Sequence, residues 1–586
     1  MTLSTKITNK ISEISRPSPD YPRTYVPLQF DGGDWEQIEP LLINLVERQL
    51  NNVEDLEKWL EDSGELANVV AEENSRRYIA MTCNTESPEI KKAFLHFVEV
   101  IEPKLKPYRN KLDKKFLDCP YVDDLDADYY QLMIRSKRNS VELFREENIP
   151  LETELGKLSQ RYQEILGAMT VEFRGKEHTM QQMGIYMQEN DREVREESFR
   201  LTSERRLKDA EELEELFDKM IALRYQIAQN AGFDNFRDYQ FRRFERFDYT
   251  PEDCFNFHKA IEELVVPICR TSLKNRKEAL KVESVRPWDL GCDRYGRNPL
   301  RPFDNTDSLI LKCQAIFKKV DSELGDWFQI LIDNGLLDLD SRKGKAPGGY
   351  QATLREVRLP FIFMNAVGLN RDLLTLLHEG GHAFHTFADR DQKLSGYRGS
   401  PIEFAEVASM SMELLGAPYF NAFYSESDAA RARYDLLEGI TSILPWIATV
   451  DAFQHWIYTN PQHTAEERSN YWIGLMERFG AGVDFTGYEE SLKYRWHAQL
   501  HIFEYPFYYV EYGIAQLGAL QIWNEYRKDP KVAIENYKKG LSLGASRPLP
   551  ELFTAAGINF DFSESLIKPL MDEVEGAMEI EAQKEI

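Results

Sequence analysis

Most of the chain places apolar residues three and four positions apart, the spacing typical of amphipathic helices. The spacing is clearest over residues 35–60, 152–168, 191–230 and 250–281. Strand patterns are few. Residues 170–178 alternate around a glycine and predict a small hairpin, and a second strand-like region follows Gly348 and Gly349 over residues 350–363. The pattern predicts a mainly helical protein with a small amount of sheet.

A helix predicted to begin at Asn370 carries the candidate chemistry. Its acidic first turn and apolar stripe lead into His378, Glu379, Gly380, Gly381 and His382. Residues four apart lie on one helix face, so the two histidines can offer ring nitrogens to one metal ion, with Glu379 close enough to act on a water. The spacing therefore predicts a zinc peptidase site.

Three neighbours of this motif need separate interpretation. Gly380 and Gly381 in a helix interior cost about 1 kcal/mol each relative to alanine, so we expect another backbone to approach closely there. His385 lies on the same face seven residues after His378. We interpret it as either a residue that supports the metal ligands or an ordinary hydrogen-bonded helix histidine.

A second helix, opening at Ser400, supplies the candidate third ligand. Ser400 fits the N-cap, Pro401 the first helical position and Glu403 the reciprocal capping position. Glu406 has no capping role and enters an apolar run, where a carboxylate needs a metal or a charged partner. We predict Glu406 as the third ligand, with Glu403 and Glu413, the latter two turns on, as supporting residues. An ion pair between helices is the alternative for Glu406.

A histidine and several tyrosines form a third candidate cluster near the C-terminus. Tyr505, Tyr509 and Tyr512 recur at helical spacing after His501 and would project from one face. Such a stripe is often core packing, although each buried hydroxyl then needs a partner. His497 with His501 could form a second metal pair, but no carboxylate at suitable spacing completes it.

Composition and charge limit the class of protein. The 586 residues carry a net charge of −26, which argues against nucleic-acid or anionic-membrane binding. The longest apolar stretch, residues 443–450, is too short to span a membrane, and residues 1–23 lack a secretory signal's apolar core. Six cysteines without CxxC pairs predict reduced thiols, no cysteine metal ligand and a cytoplasmic location. Residues 572–586 are predicted to be a solvated helix end.

These motifs together resemble peptidase family M3, within it the oligoendopeptidase F and Pz-peptidase branch. The resemblance covers roughly residues 110–580. Other branches carry Pro-Ser-Gln soon after the glutamate ligand, where this chain has Ala408-Ser409-Met410. The stretches that carry the resemblance to family M3 are residues 370–385, 400–415, 286–289, 296–300 and 345–350.

The resemblance implies an elongated, mainly helical fold like that of thimet oligopeptidase and neurolysin. This fold has a deep substrate channel and a small β-sheet near the zinc helix. It also implies one zinc ion per chain, oligopeptide substrates, and hydrogen bonds from His501, Tyr509 and Tyr512 to the substrate carbonyl and developing oxyanion. Tyr505 fits the spacing but is not required in this branch.

Two further expectations concern the substrate and the domains. The strand after Gly348, Gly349 and Tyr350 is the natural edge on which an extended peptide could lie. We divide the chain into a tail (1–30), an N-terminal helical domain walling the channel (31–200) and a catalytic domain (201–586).

Three alternatives to the oligoendopeptidase are open to the same sequence. A carboxydipeptidase needs a pocket for the C-terminal carboxylate, which the sequence does not locate. A non-catalytic helical metal-binding protein is the second. A di-iron bundle is the third, but no second Glu-x-x-His is present.

Overall fold

A computed structural model describes residues 11–585 and is mainly helical, with two small sheets, which confirms the predicted fold class. The α-helices are α1 (Trp35–Glu47), α2 (Val53–Cys83), α3 (Pro88–His96), α4 (Glu102–Leu117), α5 (Ala127–Leu143), α6 (Asn148–Gly167), α7 (Met180–Tyr186), α8 (Arg192–Leu207), α9 (Ala210–Asn230), α10 (Phe236–Arg243), α11 (Pro251–Ala260), α12 (Val266–Leu280), α13 (Thr306–Val320), α14 (Ser322–Asp333), α15 (Asn370–Asp389), α16 (Ile402–Gly416), α17 (Glu426–Thr459), α18 (Ala465–Phe479), α19 (Glu489–Lys493), α20 (Leu500–Glu504), α21 (Val510–Lys528), α22 (Pro530–Ser542), α23 (Leu549–Ala555) and α24 (Glu564–Lys584). The strands are β1 (Thr170–Phe173), β2 (Lys176–Thr179), β3 (Leu337–Asp340), β4 (Tyr350–Leu354) and β5 (Leu359–Ala366).

Three predicted helical segments are each divided in the structure. Residues 35–60 break between α1 and α2, where Asn52 caps the new helix by accepting from the backbone N–H of Asp55. Residues 191–230 break at Lys208 and Asp209, between α8 and α9. Residues 250–281 contain a π-turn over Ile261–Val265 between α11 and α12. Apolar spacing located these helices, whereas caps and local turns set their ends.

Both predicted strand regions form. β1 and β2 make the antiparallel hairpin, with Thr170 opposite Thr179. In the other sheet the order is β3-β5-β4, with β3 parallel and β4 antiparallel to β5. Among the described residues β4 pairs with no strand other than β5, so it is an edge strand, and α15 packs on this sheet.

The core is continuous through the C-terminal two-thirds of the chain, and α17 crosses it. By length and apolar composition α17 could span a membrane, but 72% of its most apolar 18-residue window is buried inside the protein. It packs against α11, α21 and α24. Its apolar surface is therefore already covered, as in a core helix.

The last helix corrects one prediction. Residues 572–585 are not simply a solvated helix end, because Val574 and Met578 of α24 are buried. The Glu585 carboxylate is also buried and bonds to the guanidinium groups of Arg294 and Arg297 at 3.1 and 2.7 Å. Residue 586 lies outside the described residues.

Residues 1–10 of the predicted tail lie outside the described residues, but the rest of the tail is packed. The Arg23 guanidinium bonds to the Glu356 carboxylate, and the backbone N–H groups of Tyr25 and Val26 donate to Glu65 on α2. Much of the N-terminal region, from Val26 to Tyr130, builds an apolar cluster distinct from the main core. The boundary at residue 200 stays a prediction. All six cysteines are free, buried thiols.

Candidate active site

The three predicted metal ligands converge where α15 packs on α16. The Oε2 atom of Glu406 lies 3.3 Å from Nε2 of His378 and 3.6 Å from Nε2 of His382. Two ligand atoms bound tetrahedrally to zinc at about 2.0–2.2 Å lie about 3.4 Å apart. The two distances to Glu406 and the chemistry of these side chains therefore suit a zinc ion.

Neighbouring groups orient the ligands and set their protonation. Glu413 accepts from Nδ1 of His378 at 2.8 Å, so Nε2 is the ring nitrogen that faces Glu406. Burial lowers the pKa of His378, but the hydrogen bonds and charges of Glu406 and Glu413 raise it well above its usual value, so this ring carries a proton that a metal would displace. Ser409 donates to Oε2 of Glu406 at 2.9 Å. Burial alone would raise the pKa of Glu406, but the two histidines and Ser409 lower it to about 2. Burial lowers the pKa of His382 to about 4. Glu406 is thus ionised and His382 neutral, as metal ligation needs.

Glu379 lies beside the ligands in a buried position on α15. Burial raises the pKa of its carboxyl to about 7, and the backbone N–H of Gln351 on β4 donates to it. A carboxylate that accepts and releases a proton near neutral pH suits general acid–base chemistry.

Gly381 explains how the two helices approach so closely. A Cβ atom at this position would lie 2.5 Å from the carbonyl oxygen of Ala408 and 2.6 Å from Cα of Ser409, both on α16. At Gly380 the obstacle would be the Phe317 ring, at 2.6 Å. The close backbone contact expected from the two glycines is present at Gly381, and it places Glu406 near the histidines.

We expect Gly381→Ala to weaken metal binding and lower stability, because the methyl group must push α16 away from α15. Small-to-large changes in packed cores typically cost about 1–3 kcal/mol. Gly474→Ala on α18 is the matched control, since a Cβ there meets no atom of the described residues within 4 Å. Thermal unfolding and metal content measured on both variants check this. Equal behaviour of the two would contradict the proposed role of Gly381.

The capping roles predicted for Ser400 and Glu403 are wrong. The helix begins at Ile402 with Pro401 at the N-cap, and no side chain caps it. The hydroxyl of Ser400 is buried without a partner among the described residues. Glu403 instead accepts from the Tyr249 hydroxyl at 2.8 Å and lies 3.6 Å from Nε of Arg246. The Glu403 side chain points towards the segment between α10 and α11, where it contacts the buried Arg246 and Tyr249 instead of capping its own helix. It bonds to none of the three predicted ligands.

The other two candidate histidines, His385 and His497, have different surroundings. His385 is buried one turn after His382 and packs on Phe404, and no hydrogen bond joins it to a ligand. Burial lowers its pKa to about 3, so its ring is neutral. His497 bonds to Glu214 at 3.0 Å, so it does not pair with His501 on a metal.

The tyrosine cluster does not lie on one helix face. α20 ends at Glu504 and α21 begins at Val510, because Pro506 disfavours a helical Tyr505 and Phe507 has a positive φ of 67°. Tyr505 lies in this turn and is 52% exposed. His501 nevertheless contacts the rings of Tyr509 and Tyr512, at centroid distances of 4.9 and 5.8 Å.

Two residues that the sequence analysis did not single out determine which ring nitrogen of His501 carries the proton. The Trp446 indole donates to Oε1 of Gln499 at 3.0 Å, so the amide nitrogen of Gln499 faces His501 and donates to Nδ1 at 2.9 Å. Burial lowers the pKa of His501 to about 4, so the ring is neutral and its Nε2 carries the proton. His501 is therefore a fixed hydrogen-bond donor. Spacing could not indicate this arrangement, because Trp446, which orients the Gln499 amide, lies 53 residues before Gln499 in the chain.

The tyrosines differ in what their hydroxyls face. Tyr509 bonds towards Trp446 and Gln499, which places it behind His501. Burial raises the pKa of Tyr512, and the charge of the Glu406 carboxylate raises it further. Tyr508, which helical spacing did not single out, is in the same field of Glu406 and donates to Tyr512. Tyr512 keeps its own proton for another acceptor.

The predicted substrate-contacting residues lie where β4 begins. Gly348 has a φ of +96°, and its carbonyl accepts from Asn365 at 2.9 Å. Gly349 lies against the backbone of Phe363, whose carbonyl oxygen would be 3.4 Å from a Cβ atom added to this glycine. The Tyr350 hydroxyl lies 2.6 Å from the Thr82 hydroxyl, and its ring stacks on Phe363. The side chain of Tyr350 is thus engaged with the N-terminal region, and the backbone is what it can offer a peptide.

A cavity of about 760 Å³ adjoins the site. It is bounded by the first turn of α15 at Leu369–Arg371, by one face of α17 including Trp446, and by Arg495. The metal ligands do not line it. One lining residue, Trp446, supports Gln499 and through it His501.

A mainly helical fold whose HExxH helix meets a glutamate on the next helix defines the metallopeptidase class. Residues 185–308 and 320–572 match the model of "Peptidase family M3", and residues 26–144 match that of "Peptidase M3 N-terminal domain". The chain therefore belongs to peptidase family M3. The match extends to residue 26, well before residue 110, where the resemblance expected from the motifs begins.

Relatives and solved structures agree with this assignment. The chain is 25% identical to "Oligopeptidase PepF" of Bacillus subtilis, over 54% of this chain and 47% of the relative. It is also 25% identical to "Oligoendopeptidase F homolog" of Borreliella burgdorferi, over 63% and 62%. The solved structure "PZ PEPTIDASE A with inhibitor 2" superposes with a TM-score of 0.88 at 26% identity, covering 95% of this chain and 99% of that one. The alignments span about half to three-fifths of the length of these curated relatives.

Proposed function

We propose that the protein is a zinc-dependent oligoendopeptidase that hydrolyses internal bonds of short, unstructured peptides. The observation that carries the proposal is the convergence of Glu406 on His378 and His382, with Glu379 beside them. Membership of family M3 and the names of relatives such as "Oligopeptidase PepF" support it.

His378, His382 and Glu406 would hold the zinc ion, with Glu413 fixing the ring of His378. The chemistry that zinc supplies in such a site is Lewis acidity, which lowers the pKa of water and polarises a carbonyl. Glu379 accepts the proton of the attacking water and passes it to the leaving amine. Its buried position, which favours the protonated form, suits the second half of this transfer.

The proposed mechanism also uses two hydrogen-bond donors. The Nε2–H of His501, fixed by Gln499, and the hydroxyl of Tyr512 donate to the oxygen on which charge develops. Tyr509 holds Gln499 and Trp446 in place. Because these donors are already oriented, little reorganisation is needed as charge develops.

We expect Tyr512→Phe to lower kcat by about 10²–10³-fold with little change in KM, since it removes a donor used in the transition state. Tyr509→Phe is the matched control and should have a smaller effect, because its hydroxyl faces Gln499. Steady-state kinetics on one quenched peptide measures both. A rise in KM with kcat unchanged would make Tyr512 a substrate-positioning residue instead.

The peptide would lie along β4, the edge strand next to α15. A backbone-paired strand binds an extended peptide through main-chain hydrogen bonds and leaves its side chains free for pockets. Such binding favours unstructured peptides over folded proteins. The test is mass spectrometry of products from peptides of about five to twenty residues, lengths an extended strand can present. Internal cleavage supports the proposal, and release of C-terminal dipeptides alone contradicts it.

One observation favours the carboxydipeptidase as a second candidate. Six arginines line the cavity, and four of them form ion pairs: Arg276, Arg294, Arg297 and Arg431. Arg371 and Arg495 form none with any residue that the structure describes. The Arg495 guanidinium instead lies 4.7 Å from the centre of the Trp446 ring. Arg371 lies about 10 Å before His378 along α15. Together they are candidates for binding a peptide carboxylate.

We expect Arg495→Gln to raise KM about tenfold for peptides with a free C-terminal carboxylate, the usual scale for one charged hydrogen bond. The same peptides amidated at the C-terminus are the control and should not respond. For an oligoendopeptidase the amidated peptides remain substrates of the unsubstituted protein. Complete resistance of every amidated peptide would favour the carboxydipeptidase.

A further inference from the structure

Four side chains of metal-ligand type meet in the core on α11 and α17, neither of which carries a predicted metal ligand of the first site. Cys254 and His258 are four residues apart on α11, and Asp451 and His455 are four residues apart on α17. Residues at this spacing share a helix face, and α11 packs on α17. Two facing pairs of this kind are how metal sites are built between packed helices.

The cluster is compact and almost fully buried. One potential ligand atom from each of Cys254, Asp451 and His455 lies within 4.8 Å of the other two. Nε2 of His455 is 3.3 Å from Oδ2 of Asp451, so the imidazole and the carboxylate are in direct contact. None of the four residues is more than 3% exposed.

Several of these atoms lack the partners that buried polar atoms need. Oδ1 of Asp451 and Nδ1 of His455 have no hydrogen bond to any described residue, whereas Nε2 of His455 lies 3.3 Å from Oδ2 of Asp451. Buried polar atoms are nearly always satisfied, and leaving one unpaired costs about 1–3 kcal/mol. His258 donates to Oδ2 of Asp451 at 2.8 Å, which fixes that carboxylate with Oδ1 free. A cation between Cys254, Asp451 and His455 would satisfy the unpaired atoms together.

We propose that Cys254, Asp451 and His455 bind a second metal ion, of the zinc class, with His258 holding the Asp451 carboxylate in place. One thiolate, one imidazole and one carboxylate suit zinc among the common divalent ions. Binding displaces the thiol proton of Cys254 to solvent. The absence of CxxC pairs did not reveal this site, because its ligands come as pairs four residues apart on two helices.

The position of the site gives it a structural role. His455 packs on the Phe507 ring at a centroid distance of 5.3 Å, and its neighbour Gln454 accepts from the backbone N–H of Phe507 at 3.0 Å. Phe507 belongs to the turn that leads to Tyr508 and Tyr509. A metal that ties α11 to α17 would therefore stiffen the support of the tyrosines at the first site.

The test uses the full chain with His378 and His382 both replaced by alanine, so that the first site cannot bind metal. This variant is loaded with Co²⁺ alone, and cobalt content and absorption are measured. We expect one Co²⁺ per chain and a thiolate-to-cobalt charge-transfer band, a signature that the nitrogen and oxygen ligands of the first site cannot give. Adding Cys254→Ala should abolish the band and the bound cobalt. Adding Cys313→Ala, at a buried cysteine of the α13 core, is the matched control and should abolish neither.

No bound cobalt in the double variant, or bound cobalt without the charge-transfer band, would overturn the proposal. This holds even if the Cys254→Ala variant fails to fold, because the band is measured with Cys254 intact. Peptide cleavage is not used as a readout, so the outcome is independent of the function proposed for the first site.

Discussion

Glu379→Gln is expected to abolish turnover while the protein still binds its metal. The amide cannot take a proton from water, and general-base catalysis contributes about 10²–10⁴-fold, so kcat should fall by about 10³-fold or more. Glutamine keeps the size of the side chain and can still accept from the backbone N–H of Gln351, so the fold and the ligands should be undisturbed. Steady-state kinetics and metal analysis of the same sample check both parts.

The outcomes of that experiment are distinct. Metal retained with activity lost supports Glu379 as the general base. Near-normal activity would show that the mechanism is wrong, and loss of the metal would show that Glu379 acts on the ligands instead. Glu403→Gln is a matched control, because Glu403 is similarly buried beside the site but bonds to Tyr249.

The second large effect is expected on α16, where replacing each of three glutamates should change metal affinity and activity to a different degree. Glu406→Ala should remove the metal and reduce activity to background, because only two histidines remain as ligands. Glu413→Ala should cost about 10–100-fold in metal affinity or activity, since it frees the ring of His378 without removing a ligand. Glu403→Gln should change neither. Metal affinity measured by competition with a chelator ranks the three.

An equal loss of metal affinity in all three variants would mean that the substitutions had disturbed α16 as a whole. Retention of full metal affinity in Glu406→Ala would contradict the assignment of the third ligand.

The parts of the site that depend on local spacing could be predicted from the sequence. His378, Glu379 and His382 share one helix, and two glycines in that helix indicated a close backbone contact, which Gly381 makes with Ala408 and Ser409. Glu406 could be singled out because an ionised side chain in an apolar run needs a partner. The mainly helical fold followed from apolar spacing and from resemblance to family M3.

The parts of the site that depend on packing between distant segments could not be predicted from the sequence. Trp446 and Gln499 support His501 only because α17 passes behind it, and nothing in the spacing of the chain pairs these residues. From local spacing alone Glu403 resembles a helix cap. Its partners in the structure, Arg246 and Tyr249, lie about 150 residues earlier in the chain, so local spacing cannot indicate them. The helix through Tyr505, Tyr509 and Tyr512 was expected from spacing alone, although Pro506 was a readable signal for a break.

Metal-dependent cleavage of an internally quenched peptide, by protein of known metal content, is the decisive test of the zinc peptidase assignment. The protein as purified is assayed, stripped with a chelator, assayed again, and titrated with zinc. We predict internal cleavage that is lost on stripping and returns in proportion to zinc bound at His378, His382 and Glu406. The proposed second site is removed from the titration by repeating it with Cys254→Ala. Cleavage that survives complete removal of metal, or zinc bound at the first site with no cleavage of any peptide, would contradict the assignment.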